Sequence, residues 1–244
     1  MEKIQSLTGM MDLIENKANK ADTANGIFYT EHILKDIFET YSISEIRTPA
    51  LEDSSLFKRS VGDTSDIVNK ELYSFMDKND KSITLRPEGT ASVIRSIIEK
   101  KIDNESNKFW YLGPMWRYER PQKGRYRQFS QAGVEILGYS EGIAELEIVS
   151  IICSINKALG IENSILKINH LGDKESKEKY CNALKNFLMP LSSKLDEKDI
   201  QRLNTNPLRV LDSKSSETQE ILKDAPKIND FLTDQSLDLL NLVK

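Results

Sequence analysis

The chain has 244 residues, 39% of them hydrophobic and 30% charged, with a formal net charge of −4. A chain of that length buries a substantial core, as one large domain or one domain plus an insertion, and the composition belongs to the soluble globular class. The opening MEKIQSLTGMMDLIENK has no apolar core of signal-peptide length, and no run approaches ~18 uninterrupted apolar residues, so a cytoplasmic protein without a membrane partner is expected.

After Gly9 the segment to Gly26 is polar and without a strong period, and it reads as an irregular arm. Ile27, Leu34, Ile37, Phe38 and Tyr41 recur at helical spacing and predict a helix over 27–41 with one buried stripe. Ser44 to Leu51 reads as a strand, and Pro49, which cannot donate to a ladder, puts it at a sheet edge or a chain interface. Leu56 to Val68 reads as a loop of mixed charge. Glu71 to Met76 and Ser82 to Arg86 flank the turn composition Asp77-Lys78-Asn79-Asp80 and predict a hairpin. The second run ends in Arg86-Pro87-Glu88-Gly89-Thr90, before a helix over 90–101 with Val93, Ile94, Ile97 and Ile98 inward. In that turn Glu88 is in reach of a ligand's ammonium group, and Thr90 offers a hydroxyl and an N-cap; equally, the two residues can simply start the helix.

Further on, Ile143 to Leu159 predicts a helix with Leu146, Val149, Ile152, Ile155 and Leu159 toward the core. Ser164 to Leu171 reads as a strand closing a mainly antiparallel sheet with flanking helices. Gly172-Asp173 marks a boundary, and Asp173 is the N-cap of a helix through Leu188 carrying Tyr180, Leu184 and Phe187 on one side. From there the chain becomes short helical pieces separated by Met189-Pro190, Asn204 to Pro207 and Ala225-Pro226. The expected fold is α+β, with a core domain over 1–171 and an α-helical unit over 172–244. Cys153 and Cys181 lie far apart and outside any CxxC or Cys/His cluster, so they read as packed thiols rather than a zinc site or disulfide. His32 and His170 have no serine, cysteine or carboxylate motif beside them, which leaves hydrolase triads without support.

The most informative stretch is Phe109 to Gly138, two strands joined by a basic loop. Between Arg117 and Arg127, the five cations Arg117, Arg120, Lys123, Arg125 and Arg127 stand against the single acid Glu119, within a chain of negative net charge. A local excess of that kind points to an anionic ligand at that spot. With a period of two, Ala132, Val134 and Ile136 make an apolar face, while Arg127, Phe129, Gln131, Gly133 and Glu135 make the other, with Gly133 leaving room. Arg117 and Glu119 share one parity across the hairpin, so a single face presents Arg, Glu, Arg, Phe, Gln and Glu. Plain solvent surface of an antiparallel sheet is the alternative.

Arg117-Tyr118-Glu119, a loop, and then Arg125-x-x-x-Phe129 resemble motif 2 of the class II aminoacyl-tRNA synthetases. ERPQKGRYRQF followed by Glu135 is similar to histidyl-tRNA synthetases in particular. SEIRTPALED with LFKRSVGDTSDIV, TLRPEGTA and TNPLRVLDSK are similar to segments of the same family, in the same order. The resemblance implies a class II synthetase-like antiparallel sheet with a helical insertion over 172–244 that reaches the acceptor end of tRNA(His). It implies a homodimer through Ile27 to Leu51, the family's motif 1, although Ser42 stands where a glycine is common.

For chemistry, the resemblance implies activation of L-histidine by ATP, with Mg2+, to histidyl-adenylate and then transfer to tRNA. Arg117 is the catalytic residue, its planar fork bridging the histidine carboxylate and the α-phosphate. Glu88, Gly89, Thr90, Arg117, Gln131 and Glu135 bind histidine, with Glu88, Thr90 and Gln131 at the ammonium group and Glu135 at the imidazole N–H. Arg117, Glu119, Arg125 and Phe129 bind ATP, through adenine stacking on Phe129, its exocyclic amine on Glu119 and the outer phosphates on Arg125. Mg2+ is expected on phosphate oxygens, with no side-chain ligand assigned. The family's LVRGLDYY-like segment, motif 3 and anticodon-binding domain do not occur before Lys244, so little aminoacylation by this chain alone is expected. The alternatives are the synthetase-like regulatory subunit of ATP phosphoribosyltransferase, and a nucleic-acid-binding module using the basic loop for phosphates alone.

Overall fold

The computed structural model describes residues 4–15, 23–61, 70–103, 105–140 and 142–243. The chain divides into two compact units, the first ending at Ser164 and the second beginning at Ile165.

The first unit holds helices α1 (Thr23–Thr40), α2 (Ser54–Val61), α3 (Thr90–Glu99) and α4 (Ile143–Ala158). Its strands are β1 (Ser44–Glu45), β2 (Leu51–Asp53), β3 (Tyr73–Met76), β4 (Ser82–Leu85), β5 (Asn107–Trp116) and β6 (Gln128–Leu137). They form two three-stranded sheets, β1-β5-β6 and β2-β4-β3, antiparallel except for the β1–β5 pair. The long β5–β6 hairpin is covered on both faces. Trp110, Leu112, Ala132 and Val134 pack with Phe38 and Leu34 of α1 and with Ile151 and Ile155 of α4. On the opposite face Tyr111, Met115, Phe109 and Phe129 pack with Val93 and Ile97 of α3. Helices on both sides are what a sheet apolar on its even positions and half apolar on its odd ones requires.

Several expectations shift. α1 begins at Thr23, four residues earlier than its apolar stripe, with residues 16–22 of the arm outside the described residues. The strand read over 44–51 is two strands in different sheets, parted at Pro49 as a residue without an N–H demands. β1 lies at the edge of its sheet among the described residues. The loop read over 56–68 is helical through Val61, because Asp53 accepts from the Ser55 amide at 2.9 Å and Phe57 is completely buried; residues 62–69 lie outside the described residues. Along α4 the buried residue is Ile151, and Leu146 and Ile152 are exposed, because its apolar residues run around the helix rather than along one stripe. Cys153 is exposed rather than packed.

α1 closes with a Schellman arrangement. The Ile43 amide donates to Phe38 O at 3.0 Å, both side chains are buried together, and Ser42 takes φ +54°. Glycine adopts that conformation without a Cβ penalty.

Ser164–Leu171 is not a strand: it is irregular, with Ile165 82% exposed. Apolar alternation there finds no neighbouring ladder, and the two compact units part after its first residue, Ser164. The second unit consists of α5 (Lys174–Leu188), α6 (Glu197–Thr205), α7 (Ser216–Leu222) and α8 (Asp234–Val243), joined by short 3-10 turns. Asp173 caps α5 as expected, accepting from the Ser176 amide at 2.8 Å. Leu184, Leu188, Leu203 and Val210 are its buried core.

Within that core Asp199 is 1% exposed and tied to three side chains. It accepts from Arg202 Nη1 at 2.9 Å, from Thr218 Oγ1 at 2.9 Å, and from Ser213 Oγ. Burial pushes its pKa up, but the hydrogen bonds from Ser213, Thr218 and Arg202 together outweigh it and hold the carboxyl below the usual range.

Two stability predictions follow from these caps and pairs, both read by chemical denaturation. Ser42→Gly stabilises the first unit by up to about 1 kcal/mol. Asp199→Asn destabilises the second by about 1–3 kcal/mol at neutral pH. Because the folded pKa is depressed, the Asp199 contribution is complete above the unfolded value of about 3.9 and disappears as pH falls through the lower folded value. The variant lacks that part of the acid loss.

Candidate functional site

The site is built on the β5–β6 register. Phe109 pairs with Glu135, Tyr111 with Gly133, Gly113 with Gln131 and Met115 with Phe129. Directly opposed residues share a face, so these eight face the same way. The Arg117 amide then donates to Arg127 O at 2.9 Å, and the loop begins.

Tyr111 is the site residue that the sequence reading missed. A Cβ on Gly89 would fall 2.2 Å from its ring and a Cβ on Gly133 2.3 Å, so both glycines exist to admit it. The room above Gly133 is therefore occupied by an aromatic ring and is not left for a guest. The available signal was its parity, directly across from Gly133 in the hairpin. Its hydroxyl pKa is raised, chiefly by burial.

Around Tyr111 stand the predicted polar residues. Thr90 Oγ1 donates to Glu135 Oε1 at 2.6 Å, joining the start of α3 to β6 across 45 residues. Burial, with the Glu88 charge adding to it, raises the Glu135 pKa against the opposing Thr90 hydrogen bond. Glu88 caps α3 in place of Thr90: its two carboxylate oxygens accept from the Thr90 amide at 2.7 Å and the Ala91 amide at 3.0 Å. Gly89 occupies the N-cap position with no side chain to offer. The helix-start alternative for Glu88 is thus part of the structure, and each carboxylate oxygen keeps a second lone pair. Gln131 is half-buried, and its Oε1 is buried without a hydrogen-bond donor among the described residues.

Arg117 Nε donates to Pro87 O at 2.8 Å, and its guanidinium carbon lies 5.1 Å from the Phe129 ring centre. Among the described residues no acceptor holds its two terminal amino groups, which leaves two parallel N–H donors of the fork unused. Phe129 itself packs against the α3 core on one side. In the loop, Arg125 Nη1 meets Glu119 Oε2 at 3.2 Å, so the two residues expected at opposite ends of ATP hold each other. Arg127 stacks on Tyr118 at 3.9 Å and takes Gly9 O on its amide at 2.7 Å, which ties the N-terminal arm to the hairpin. A cavity of about 580 Å³ lies elsewhere, between α1 and the other sheet face, lined by Phe28, His32, Arg47, Trp110, Pro114 and Ser130. None of the predicted site residues borders it. Among the described residues no group of three His, Cys, Asp or Glu side chains is placed to hold a metal, and no helix is long and apolar enough to cross a membrane.

A family model described as histidyl-tRNA synthetase matches residues 10–235. The histidine–tRNA ligase of Francisella philomiragia is 45% identical over 240 residues, covering 97% of this chain and 55% of that protein. That of a Synechococcus species is 43% identical and covers all of this chain and 58% of that protein. The chain therefore spans about half the length of the curated relatives it matches. Apo histidyl-tRNA synthetase from S. aureus superposes with a TM-score of 0.74 at 33% identity, over 99% of this chain and 53% of that one. A Bacillus halodurans protein described as an ATP phosphoribosyltransferase regulatory subunit/histidyl-tRNA synthetase superposes at 0.62 with 18% identity, over 98% of this chain and 64% of that one, which speaks to the fold alone. The expected α+β class II synthetase-like fold is borne out, and with the family model covering nearly its whole length, this chain belongs to the histidyl-tRNA synthetase family.

Proposed function

We propose that this chain is the portion of a histidine–tRNA ligase that carries part of the histidine pocket and part of the ATP site. Residues 1–171 form the catalytic portion and 172–244 the helical insertion that meets tRNA(His). A homodimer through Ile27 to Leu51 and a cytoplasmic location belong to the same reading. The observation that carries it is the buried Gln131 Oε1 with no donor among the described residues, on the strand face shared with Glu135. A buried acceptor without a donor is costly unless a ligand supplies one, and an ammonium group does.

In this reading the histidine ammonium group lies against Gln131, Glu88 and Thr90, beside the backbone of Gly89. Its imidazole N–H meets Glu135, and its carboxylate shares Arg117 with the α-phosphate of ATP. A carboxylate oxygen attacks the α-phosphorus, an O–P bond forms, and the bond to the β-phosphate oxygen breaks with release of pyrophosphate. The enzyme's part is to align the two anions and neutralise the charge that develops. Phe129 and Glu119 take the adenine, and Arg125 exchanges Glu119 for the outer phosphates. Mg2+ enters with ATP, held chiefly by phosphate oxygens, and no side chain is assigned to it.

The test is histidine-dependent exchange of labelled pyrophosphate into ATP, by this chain extended with the remaining segment of the Francisella relative. Exchange with histidine and not with other amino acids is expected; exchange absent or indifferent to histidine contradicts the reading. In that protein Arg117→Lys, which keeps the charge and loses the fork, lowers kcat about 10²- to 10³-fold. Glu135→Gln raises the KM for histidine at least ~10-fold while that for ATP stays within about 3-fold. Equal losses for both ligands contradict the Glu135 assignment.

A further inference from the structure

Arg86 is only 9% exposed, yet no carboxylate among the described residues binds it. A buried arginine is normally paired with an acid, since its charge is expensive to remove from water. Here every bond goes to a neutral oxygen. Nε donates to Pro114 O at 3.1 Å, and Nη1 to Thr48 O at 2.8 Å and Thr48 Oγ1 at 3.0 Å. The nearby acid Glu52 is engaged by Arg95 at 2.6 Å. Burial accordingly lowers the Arg86 pKa, with Glu52 and Tyr111 opposing. Nη2 lies 2.8 Å from where a Gly113 Cβ would stand, which explains a glycine in the middle of β5.

The backbone of the same residue is also fixed. Its amide donates to Ala50 O at 2.9 Å, and its carbonyl accepts from the Trp116 amide at 3.1 Å. The next carbonyl, that of the buried Pro87, is the acceptor that holds Arg117 Nε. Proline has a fixed φ and keeps the residue before it extended, so the placement of Arg86 leaves ψ of Pro87 as the one main-chain torsion that aims its carbonyl. A continuous path thus runs from Thr48 through the Arg86 side chain and the Pro87 carbonyl to the Arg117 guanidinium.

We propose that Arg86 is a positioning residue: its buried guanidinium clamps β5 and the Thr48 segment so that Pro87 O holds Arg117 with its fork turned to the substrates. The chemical part of this proposal rests on the synthetase reading; the clamp itself does not. An apolar side chain of similar volume would fill the space without the desolvation cost and keep the two backbone hydrogen bonds of residue 86, but it would lose the three bonds that tie Pro114 and Thr48 to it and so loosen the support of the Pro87 carbonyl.

Two measurements test it. In this chain, exchange of the Arg117 Nε–H, identified by its disappearance in Arg117→Lys, is followed by NMR. Arg86→Lys accelerates it at least ~10-fold and Thr48→Val, which removes one hydroxyl and leaves the fold intact, by a smaller factor. In the extended enzyme, Arg86→Lys lowers pyrophosphate exchange about 10- to 100-fold in the parent and less than ~2-fold when Arg117 is already alanine. Unchanged Nε–H protection in both variants overturns the clamp. So does an activity loss of the same factor with and without Arg117, which is the mark of a general packing defect. An extended parent enzyme without histidine-dependent exchange removes the synthetase reading instead, and the Nε–H measurement then decides the clamp alone.

Discussion

The register of the β5–β6 hairpin governs this molecule. Ten consecutive pairs, from Asn107 with Leu137 to Trp116 with Gln128, send Trp110, Leu112, Ala132 and Val134 under α1 and α4, and Tyr111, Phe129, Gln131 and Glu135 to the face that α3 covers in part. A slip of one residue would exchange the two sets, burying a glutamate and a glutamine beneath α1 and exposing Trp110. The large apolar side chains on one face therefore hold the polar ones in place on the other, and the stability of the core and the geometry of the site are one constraint.

The site face is arranged for charge. Glu88 is engaged by two amides at the positive end of α3, Thr90 restrains Glu135, and Arg125 pairs with Glu119 at the loop. Among the described residues, the Arg117 terminal amino groups and the Gln131 amide oxygen are left without partners. In the proposed reading these two groups take the two ends of an amino acid, which a basic loop meant only for phosphates would not require.

Much of this was legible in sequence because it is local. The hairpin parity, the Asp77–Asp80 turn and the Asp173 cap each follow from residues within a few positions, and each stands in the structure. What was not legible depends on partners far along the chain. Ser164–Leu171 has the composition of a strand and no ladder to join. Leu146 and Ile152 are apolar on a helix whose buried stripe is set by α1 and β5. Nothing local marks Arg86 as buried before Thr48 and Pro114 close around it, and Gly133 reads as open space until Tyr111 fills it. The family resemblance supplied roles that the residues alone left open, as between helix cap and ligand for Glu88.

In the proposed reading, amino acid and nucleotide meet on this one strand face, across Arg117. A crystal structure of the extended chain with histidine and a non-hydrolysable ATP analogue tests it most directly. The account predicts a histidine carboxylate oxygen and an α-phosphate oxygen each within hydrogen-bond distance of the Arg117 terminal amino groups, with the ammonium group on Gln131 Oε1. Ligand density lying instead in the cavity between α1 and the opposite sheet face, with Arg117 and Gln131 untouched, would contradict it.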